Sequence, residues 1–566
     1  MSHSGDSLKL GTYVGVSTVV SLGLFFFMKM RKRSSQANRF SSEITVRPHR
    51  EGWHLTNFGN DSNELGSHPE GPNLGFESNE TWYNQTAQKQ RRSASVKTDL
   101  LHTGHRKGGK LLICMVGLPG SGKTLIARKV ARYLRWIAYR TKTFSIAKYR
   151  LDKLGSKTAD FFNQDNEGSY NQRLVVMNEA LEDSLRYLHR GGEIAILDGT
   201  NSSRDRRDMI RARVSEEDGY ELFWIESACD FFGDSDASVR GEMLRTLRKS
   251  PDFISIEDYE KRCAHYKSNY CAVADDEGSF IRIHDKFSKF TLHNTQGFLP
   301  SKIVSFVVNL KPGFRAVHFC RHGESTFNAR GLIGGDGPLS PKGQSFARAL
   351  GEYVSVVKIG GSKSSRAGGN GKDYLHVWTS CLRRAKETAS HLLRDTDAPS
   401  SSNDSGGGNG DSGDEKGSSD GRLSTHSAAS TMSGRTSRLI EWRALNDIEV
   451  GICDGLSYEQ ISHRFPDEYR SRSADKLTYR YPRGESYLDV IARLEPVIFE
   501  LERGEEELII VSHQAVLRCL YAYFLDLPAA EIPFIDIPLH TVICLQPMTY
   551  GCKEKRTKIN VEADAH

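Results

Sequence analysis

The segment Gly117-Leu118-Pro119-Gly120-Ser121-Gly122-Lys123-Thr124 determines the fold of the first half of this chain. Residues 110–116, a lysine followed by six apolar residues, precede it and predict a buried strand, and a helix is predicted from Lys123 to Leu134. A glycine-rich loop between a strand and a helix wraps phosphate groups with its backbone N–H groups, and its lysine reaches the terminal phosphates. The segment therefore predicts an α/β domain with a P-loop for a nucleoside triphosphate, held by Gly117, Gly120, Ser121, Gly122, Lys123 and Thr124.

A carboxylate follows the next predicted strand of this domain. Residues 193–197 are mostly apolar, and Asp198 comes directly after them. An acid in this position is often only a helix cap, but beside a P-loop it fits a second ligand of Mg²⁺ or a contact to the acceptor hydroxyl. We therefore expect Thr124 and Asp198 to hold the metal.

A second phosphate-handling pattern, Arg321-His322-Gly323-Glu324, follows the strand-like residues 314–320. A neutral imidazole can attack phosphorus, and arginines stabilise the charge of the transferred group. Two further predicted strands, 377–380 and 508–512, precede Arg384 and His513. Because parallel strands end at one edge of a sheet, the sequence predicts a phosphate pocket with two histidines there.

The composition of the chain bears on its number of domains, its partners and its redox compartment. The 566 residues allow two catalytic domains with appendages, and the net charge of +6 from 77 basic and 71 acidic residues is too weak a signal for nucleic acid. The ten cysteines occur singly, without the spacing of a disulfide framework or a zinc site. We therefore expect no nucleic-acid partner and a reducing compartment.

The N-terminal region carries an apolar run from Leu10 to Met28, followed at once by Lys29, Arg31, Lys32 and Arg33. At about 1.5 Å per residue the run is about 28 Å long, close to the thickness of the bilayer core. A cleaved signal peptide is the alternative, but no small-residue cleavage site follows. We expect an N-terminal transmembrane helix within residues 1–33, with the catalytic domains in the cytosol.

Two polar tracts divide the rest of the chain. Residues 34–107 lack a sustained hydrophobic period and predict a flexible linker. Residues 395–437 are rich in Ser, Gly and Asp and predict a low-complexity insertion, and the Gly/Ser patch 360–371 predicts a surface loop. The expected domains are 108–311, with the P-loop, and 312–566, which contains the insertion.

The first domain resembles the kinase half of the 6-phosphofructo-2-kinase/fructose-2,6-bisphosphatase family. The resemblance rests on the P-loop, on residues 161–166 (Phe-Phe-Asn-Gln-Asp-Asn), on Asp198-Gly-Thr-Asn with Arg204, Arg206 and Arg207 after it, and on Ser250-Pro-Asp-Phe253. We expect these arginines to clamp a phosphorylated acceptor. The resemblance implies that fructose 6-phosphate is held by Arg150, Arg173, Thr200, Arg206, Arg262 and Tyr266.

The second domain resembles the histidine phosphatase superfamily and, within it, the bisphosphatase half of the same family. The matching segments are 333–336, 444–448, 479–487 and 538–542. The resemblance implies that His322 becomes phosphohistidine while Arg321, Asn328, Arg384 and His513 bind the 2-phosphate. It also implies that the sugar and its 6-phosphate are bound by Tyr458, Arg472, Lys476, Tyr487, Gln514 and Arg518, with Gly334 among the substrate-binding residues.

The chain departs from the family at two positions. Leu247 stands where the family has a lysine that contacts the transferred phosphate, and Arg248 or Lys249 is a possible substitute. Asp447 stands where the family has its general-acid glutamate, and Glu449 is the alternative acid.

The resulting prediction is a membrane-tethered bifunctional enzyme with two doubly wound α/β domains that makes and hydrolyses fructose 2,6-bisphosphate, using ATP and Mg²⁺. Its small-molecule partners would be ATP, fructose 6-phosphate and fructose 2,6-bisphosphate, and a homodimer is a candidate assembly. Two alternatives stay open: an enzyme with one competent half, and a membrane-bound sensor that binds ATP and sugar phosphate without turnover.

Overall fold

The computed structural model describes residues 109–229, 241, 244–245, 247–284, 287–311, 313, 315–357, 374–393, 430–432, 435–548 and 551–561. The predicted anchor at 1–33, the linker at 34–107, the patch at 360–371 and most of the insertion at 395–437 lie outside these residues. Within the ranges given, no helix is long and apolar enough to cross a membrane.

The first domain is built on a sheet with the strand order β2-β3-β1-β4-β5-β6. The strands are β1 (Lys110–Gly117), β2 (Thr141–Ser145), β3 (Ile194–Asp198), β4 (Tyr220–Ser227), β5 (Ser279–His284) and β6 (Lys289–His293). The helices are α1 (Lys123–Trp136), α2 (Ile146–Leu154), α3 (Glu167–His189), α4 (Arg204–Ser215), α5 (Ile256–Ser268) and α6 (Phe298–Val307).

The central strand β1 explains why this domain is doubly wound. Its neighbours β3 and β4 are both parallel to it, and only the edge strand β6 runs antiparallel. Leu111, Ile113 and Met115 pack into the apolar cluster that contains α1, and the alternate residues pack into the cluster that contains α3. Both faces of β1 are therefore covered, which accounts for its unbroken apolar sequence.

The second domain is built on a sheet with the strand order β13-β12-β7-β11-β8-β10-β9. The strands are β7 (Val317–Arg321), β8 (Tyr374–Thr379), β9 (Ser430–Met432), β10 (Arg435–Glu441), β11 (Leu508–Ser512), β12 (Thr541–Pro547) and β13 (Cys552–Lys558). The helices are α7 (Thr326–Ala329), α8 (Pro341–Val357), α9 (Arg383–Ser390), α10 (Tyr458–Arg464), α11 (Pro466–Ala474), α12 (Tyr487–Arg503) and α13 (Gln514–Leu525).

The centre of this second sheet is parallel, from β7 through β11 and β8 to β10. Phe319, Leu508 and Ile510 pack with α12 and α13 on one face, and Cys320, Ile509 and Val511 pack with α8 and α9 on the other. The prediction of two doubly wound α/β domains is thus confirmed. The C-terminal part of the predicted insertion differs from the expectation, because residues 430–432 and 435–437 belong to strands β9 and β10.

The two domains share one apolar cluster. On the side of the first domain, Tyr133 of α1 stacks on Phe306 of α6 with ring centroids 4.3 Å apart, and Phe499 of α12 lies against both rings. Trp136 Nε1 donates to the carbonyl of Cys519 in α13 at 2.9 Å. The helix that follows the P-loop is therefore packed directly against the second domain.

Two candidate active sites

The loop between β1 and α1 has a left-handed backbone at its glycines, with φ of 140° at Gly117, 78° at Gly120 and 81° at Gly122. A Cβ atom at Gly117 would lie 2.3 Å from the carbonyl oxygen of Ser227, so no larger residue fits. Gly117 N donates to the carbonyl of Thr200 at 2.9 Å, which ties the loop to the end of β3. The loop is thus held in the shape of an anion-binding backbone nest.

Three predicted side chains of this site form one buried cluster. Lys123 is 7% exposed, and its Nζ donates to the carbonyl of Leu118 and, at 3.4 Å, to Ser121 Oγ. Thr124 Oγ1 donates to Asp198 Oδ2 at 3.0 Å. Burial lowers the pKa of Lys123 to about 8, although Asp198 opposes the shift, and burial raises the pKa of Asp198. An ammonium group beside a hydroxyl and a carboxyl oxygen suits a phosphate with a hard cation.

The predicted acceptor residues gather around Phe162 and Asp252. Arg262 Nη1 donates to Asp252 Oδ2 at 2.5 Å, and Arg150 donates to the same oxygen. Arg262 lies 3.8 Å and Arg150 5.1 Å from the centre of the Phe162 ring, and the Tyr266 ring is 5.9 Å from it. Within the described part of the chain, Arg150 Nη1, Arg262 Nε and Asp252 Oδ1 are buried without a hydrogen-bond partner. The two guanidinium nitrogens are unsatisfied donors suited to an anion, whereas the free carboxylate oxygen of Asp252 can only accept a hydrogen bond.

Arg173 and Arg206 lie close to this cluster. Arg173 Nη1 donates to the carbonyls of Phe161 and Asn163. Burial lowers the pKa of Arg173, Tyr266 opposes the shift, and the positive charge of Arg206 adds to it. The structure therefore brings Arg150, Arg173, Arg206, Arg262 and Tyr266 into one region, while the carbonyl of Thr200 supports the P-loop.

The expectation that three arginines after Asp198 clamp the acceptor is wrong for two of them. Arg207 is fully buried and pairs through Nε with Glu277 Oε2 at 2.6 Å, and Arg204 pairs with the exposed Asp276. Both arginines fasten α4 to the loop before β5. Only Arg206 of this run stays a candidate ligand, because Arg204 and Arg207 are paired with carboxylates. The sequence alone does not show which arginines of such a run have acidic partners far along the chain.

Sequence reasoning also missed two residues of this domain. The sequence indicated Asp252 only as part of a matching segment, although its carboxylate accepts hydrogen bonds from both Arg150 and Arg262. Asn201 has φ 39°, is fully buried, and donates from Nδ2 to the carbonyl of Met115 at 2.9 Å. An asparagine directly after a strand and a glycine-containing turn was the available signal, since asparagine tolerates a left-handed backbone.

The second site is a cavity of about 360 Å³ at the carboxyl ends of β7, β8 and β11. Its lining includes twelve of the predicted residues: Arg321, His322, Asn328, Gly334, Arg384, Asp447, Tyr458, Arg472, Lys476, Tyr487, Gln514 and Arg518. The thirteenth, His513, is fully buried next to it, with its ring centre 5.0 Å from that of His322. Ser325, Tyr479 and Tyr481 also line the cavity and were not singled out from the sequence.

His322 presents an unprotonated nitrogen to the cavity. Its Nδ1 lies 2.7 Å from the carbonyl oxygen of Gly323, which can only accept, so Nδ1 carries the proton. Arg384 Nε donates to Nε2 at 3.2 Å. Burial, followed by the neighbouring His513 and Arg384, lowers the pKa of His322 well below its usual range. Nε2 is therefore unprotonated at neutral pH, and its lone pair can attack a phosphorus atom once Arg384 Nε donates to the phosphoryl oxygens instead.

The structure distinguishes the two candidate acids. Asp447 lines the cavity, and its Oδ2 accepts from Arg384 Nη2 at 3.0 Å and lies 3.7 Å from His513 Nδ1. Glu449 is exposed and is absent from the lining of this cavity. The geometry therefore favours Asp447.

The far end of the cavity is basic and aromatic. Arg472 donates to the hydroxyls of Tyr481 at 2.6 Å and Tyr458 at 2.8 Å, and Arg518 donates to the hydroxyl of Tyr487 at 3.1 Å. Burial, with the charges of Arg472 and Arg518, lowers the pKa of Lys476 to about 7. This end suits a second phosphate on a sugar, because an anion would relieve the repulsion among the three cations.

The turn at Gly334, one of the predicted substrate-binding residues that line this cavity, requires glycine. Gly334 has φ 74°, and a Cβ there would lie 1.9 Å from Asp454 Oδ1. Asp454 Oδ1 accepts from Gly335 N at 2.6 Å, and Arg384 Nη1 donates to the carbonyl of Gly335 at 2.7 Å. This turn therefore helps to place the arginine beside His322.

Together, the two folds and their sites define a P-loop kinase joined to a histidine phosphatase. Family models agree: one for 6-phosphofructo-2-kinase matches residues 99–313, and one for the histidine phosphatase superfamily (branch 1) matches residues 317–405 and 416–560. The chain belongs to the 6-phosphofructo-2-kinase/fructose-2,6-bisphosphatase family, and its two domains carry the two activities of that name.

Two relatives of the same family name support this assignment. The human 6-phosphofructo-2-kinase/fructose-2,6-bisphosphatase 1 is 36% identical over 80% of this chain and 85% of its own length. The enzyme of the same family name from Arabidopsis thaliana is 37% identical over 82% of this chain, which spans 56% of that protein. Among solved structures, a putative alpha-ribazole-5'-P phosphatase from Escherichia coli covers 44% of this chain, with 19% identity and a TM-score of 0.32.

Proposed function

We propose that the first domain transfers the γ-phosphoryl group of ATP to the 2-hydroxyl of fructose 6-phosphate, and that the second domain hydrolyses the resulting 2-phosphate through a phosphohistidine. The observation that carries this proposal is the Nε2 lone pair of His322, held in an arginine-lined cavity on the same chain as a formed P-loop. A sensor that only binds ATP and sugar phosphate needs no histidine nucleophile.

The kinase residues fit MgATP. The oxygen pair of Thr124 and Asp198 can hold Mg²⁺, which when bound neutralises phosphate charge and orients the phosphate oxygens. The loop glycines shape the backbone around the phosphates. Lys123, which is bonded within its own loop here, would turn its ammonium group to the terminal phosphates.

The acceptor fits the cluster around Asp252. The unsatisfied guanidinium atoms of Arg150 and Arg262 would bind the 6-phosphate, with Arg173, Arg206 and Tyr266 beside them. Catalysis then consists of aligning the 2-hydroxyl with the γ-phosphorus and spreading its charge.

The phosphatase reaction proceeds in two steps. His322 Nε2 forms a bond to the 2-phosphorus as the bond to the sugar oxygen breaks, and Asp447 supplies the proton to that oxygen. Arg321, Arg384 and His513 stabilise the transferred phosphoryl group, while the tyrosines and cations of the far end hold the sugar and its 6-phosphate. In the second step the Asp447 carboxylate takes a proton from water as the water oxygen bonds to phosphorus, the N–P bond to His322 breaks, and inorganic phosphate leaves.

Two substitutions in the full chain test the separation of the activities. Lys123→Ala should abolish synthesis of fructose 2,6-bisphosphate and leave hydrolysis within about twofold, and His322→Ala should do the reverse. With substrate labelled at the 2-phosphate, the wild type should give an acid-labile phosphoenzyme that His322→Ala lacks. The exposed Lys289→Ala and His463→Ala are matched controls.

The outcomes of this experiment separate the candidate functions. Loss of both activities in either variant would contradict two independent sites. Absence of one activity from the wild type would indicate one competent half. Absence of both would leave only the sensor.

The membrane anchor is a further part of the proposal. It is supported by the apolar run at 10–28 and the basic residues after it. The full chain should fractionate with membranes and resist carbonate extraction, and protease added to the cytosolic face should digest both catalytic domains. Recovery in the soluble fraction would contradict the anchor, and protection from protease would contradict the orientation.

A homodimer is supported by the edge of the first sheet. Strand β6 ends that sheet, and Leu292 on it is 47% exposed. No strand of the described residues pairs with the outer edge of β6, and such an edge can pair with a second copy of itself. The mass of the solubilised protein by light scattering tests this assembly, and a monomer would contradict it.

A further inference from the structure

Ser380 and His513 are in contact behind the phosphatase cavity. Ser380 follows β8 and His513 follows β11, and these strands are neighbours with Thr379 paired to Val511. Ser380 Oγ lies 2.7 Å from His513 Nε2, and both residues are fully buried. The strand register therefore fixes this contact.

The hydrogen bonds around Ser380 determine where its proton goes. Leu382 N donates to Ser380 Oγ at 3.3 Å, which uses one lone pair of the hydroxyl. A hydroxyl has a single proton, and among the described contacts of Oγ only His513 Nε2 can accept it. Ser380 therefore donates to Nε2, and the proton of the neutral ring must reside on Nδ1.

The opposite edge of the His513 ring lies toward Asp447, which lines the cavity. Nδ1 is buried without a hydrogen-bond partner in the described structure and lies 3.7 Å from Asp447 Oδ2. The charged and titratable groups around the ring are Asp447, His322, Arg384, Arg321 and Arg493. Burial, followed by the three arginines, lowers the pKa of His513 well below the usual range. His513 is thus neutral, with one N–H group that has no ligand from the protein.

We propose that Ser380 is a positioning residue that fixes the tautomer of His513, so that Nδ1–H is presented to the phosphoryl group during its transfer to and from His322. The two imidazoles then have complementary roles, since His322 offers a lone pair at Nε2 and His513 offers a proton at Nδ1. This inference rests on the phosphohistidine mechanism proposed above.

The test compares Ser380→Ala with Ser380→Thr in the full chain. Without the Ser380 hydroxyl, Nε2 of His513 no longer accepts the hydrogen bond that stabilises the neutral ring. Nε2 then competes with Nδ1 for the ring proton, and the pKa of His513 rises. Formation of the labelled phosphoenzyme should slow by about 10- to 100-fold with a small change in KM, because one donor to the transferred group is lost in part. The acidic limb of its pH profile should move up by about half to one pH unit. Ser380→Thr should restore most of the rate and the position of the limb.

A control substitution at Ser512 and a nitrogen chemical shift of His513 complete the test. Ser512→Ala removes an equally buried hydroxyl, bonded to the carbonyl of Leu445 at 2.8 Å, and should leave the acidic limb in place. In wild-type protein labelled with ¹⁵N-histidine, Nε2 of His513 should show the shift of an unprotonated nitrogen. A protonated Nε2, or an unmoved acidic limb in Ser380→Ala, would overturn the role of Ser380. Absence of the phosphoenzyme from the wild type would instead overturn the mechanism.

Discussion

Arg384 shows how much of the phosphatase chemistry depends on one side chain. Its three nitrogens donate to His322 Nε2, to the carbonyl of Gly335 and to Asp447 Oδ2. One fixed guanidinium group therefore touches the nucleophile, the turn at Gly334 and the proposed acid. An approaching phosphoryl group would meet donors that are already oriented.

The role of Asp447 as the proposed acid can be tested directly. Asp447→Asn should slow formation of the phosphoenzyme by about 10²- to 10⁴-fold, because the leaving oxygen loses its proton donor, while substrate affinity changes little. Rapid quenching with labelled substrate measures the rate. Glu449→Gln is the matched control and should stay within about twofold, since Glu449 is exposed. A crippled Glu449→Gln with an unaffected Asp447→Asn would move the acid by two residues.

The sequence could not choose between these acids, because both follow the same segment and differ by two positions. The structure separates them by exposure. The departure at Leu247 is different: Leu247 is half-buried and Arg248 and Lys249 are exposed, and no described contact joins any of them to the P-loop. The effect of that position on the kinase rate stays a prediction, and Leu247→Lys tests it.

At the scale of elements, Asp252 joins α2 to α5. It accepts from Arg150 on α2 and Arg262 at the middle of α5, and both guanidinium groups lie over Phe162. Without this carboxylate two buried cations would face each other. Asp252 thus sets the spacing of the proposed 6-phosphate ligands.

Asp252→Asn should therefore raise the KM for fructose 6-phosphate by about tenfold or more, with a smaller effect on kcat and none on the KM for ATP. Initial rates of synthesis at varied sugar phosphate measure this. Asp152→Asn, on the exposed side of α2, is the control. An unchanged KM would mean that the two arginines are positioned by Phe162 alone.

The elements were the part that the sequence predicted best. The strands at 110–116, 193–197 and 508–512 lie within one residue of β1, β3 and β11, because continuous apolar runs next to glycine or a polar strand end leave few alternatives. Asp252, Asn201 and Ser380 escaped prediction for one physical reason. Each acts through a partner that is distant in sequence, and only the folded chain reveals such pairs.

At the scale of the whole molecule, Glu502 connects the two domains. It accepts from Lys129 and Arg132 of α1 at 2.6 Å each and from Tyr523 of α13 at 2.6 Å. Burial alone would raise the pKa of Glu502, but Lys129 and Arg132 lower it from 4.5 to about 2. The carboxylate therefore stays charged within the shared core.

Because the pKa of Glu502 is lower in the folded state than in the unfolded state, its ionised carboxylate stabilises the fold fully above the unfolded pKa. This stabilisation is lost as the pH falls from about 4.5 to 2. Glu502→Gln should lower stability at pH 7 by about 3–5 kcal/mol, since two buried cations lose their counter-ion. The stability of this variant should also fall less than that of the wild type as the pH decreases from 4.5 to 2. Thermal unfolding at several pH values measures both effects.

The exposed Glu505→Gln is the control for this substitution and should change stability little. Equal melting temperatures of Glu502→Gln and the wild type at pH 7 would contradict a structural role for the buried carboxylate.

The stacking of Tyr133 on Phe306 and Phe499, and the bond from Trp136 to α13, carry an evolutionary consequence. If the gene split between the domains, each half would expose this aromatic surface to water and to aggregation. A lineage that no longer needed one activity could lose His322 or Lys123 by a single substitution, yet it would still have to keep both folds. Descendants with one silent site should therefore retain an intact interdomain surface long after the silent site has changed.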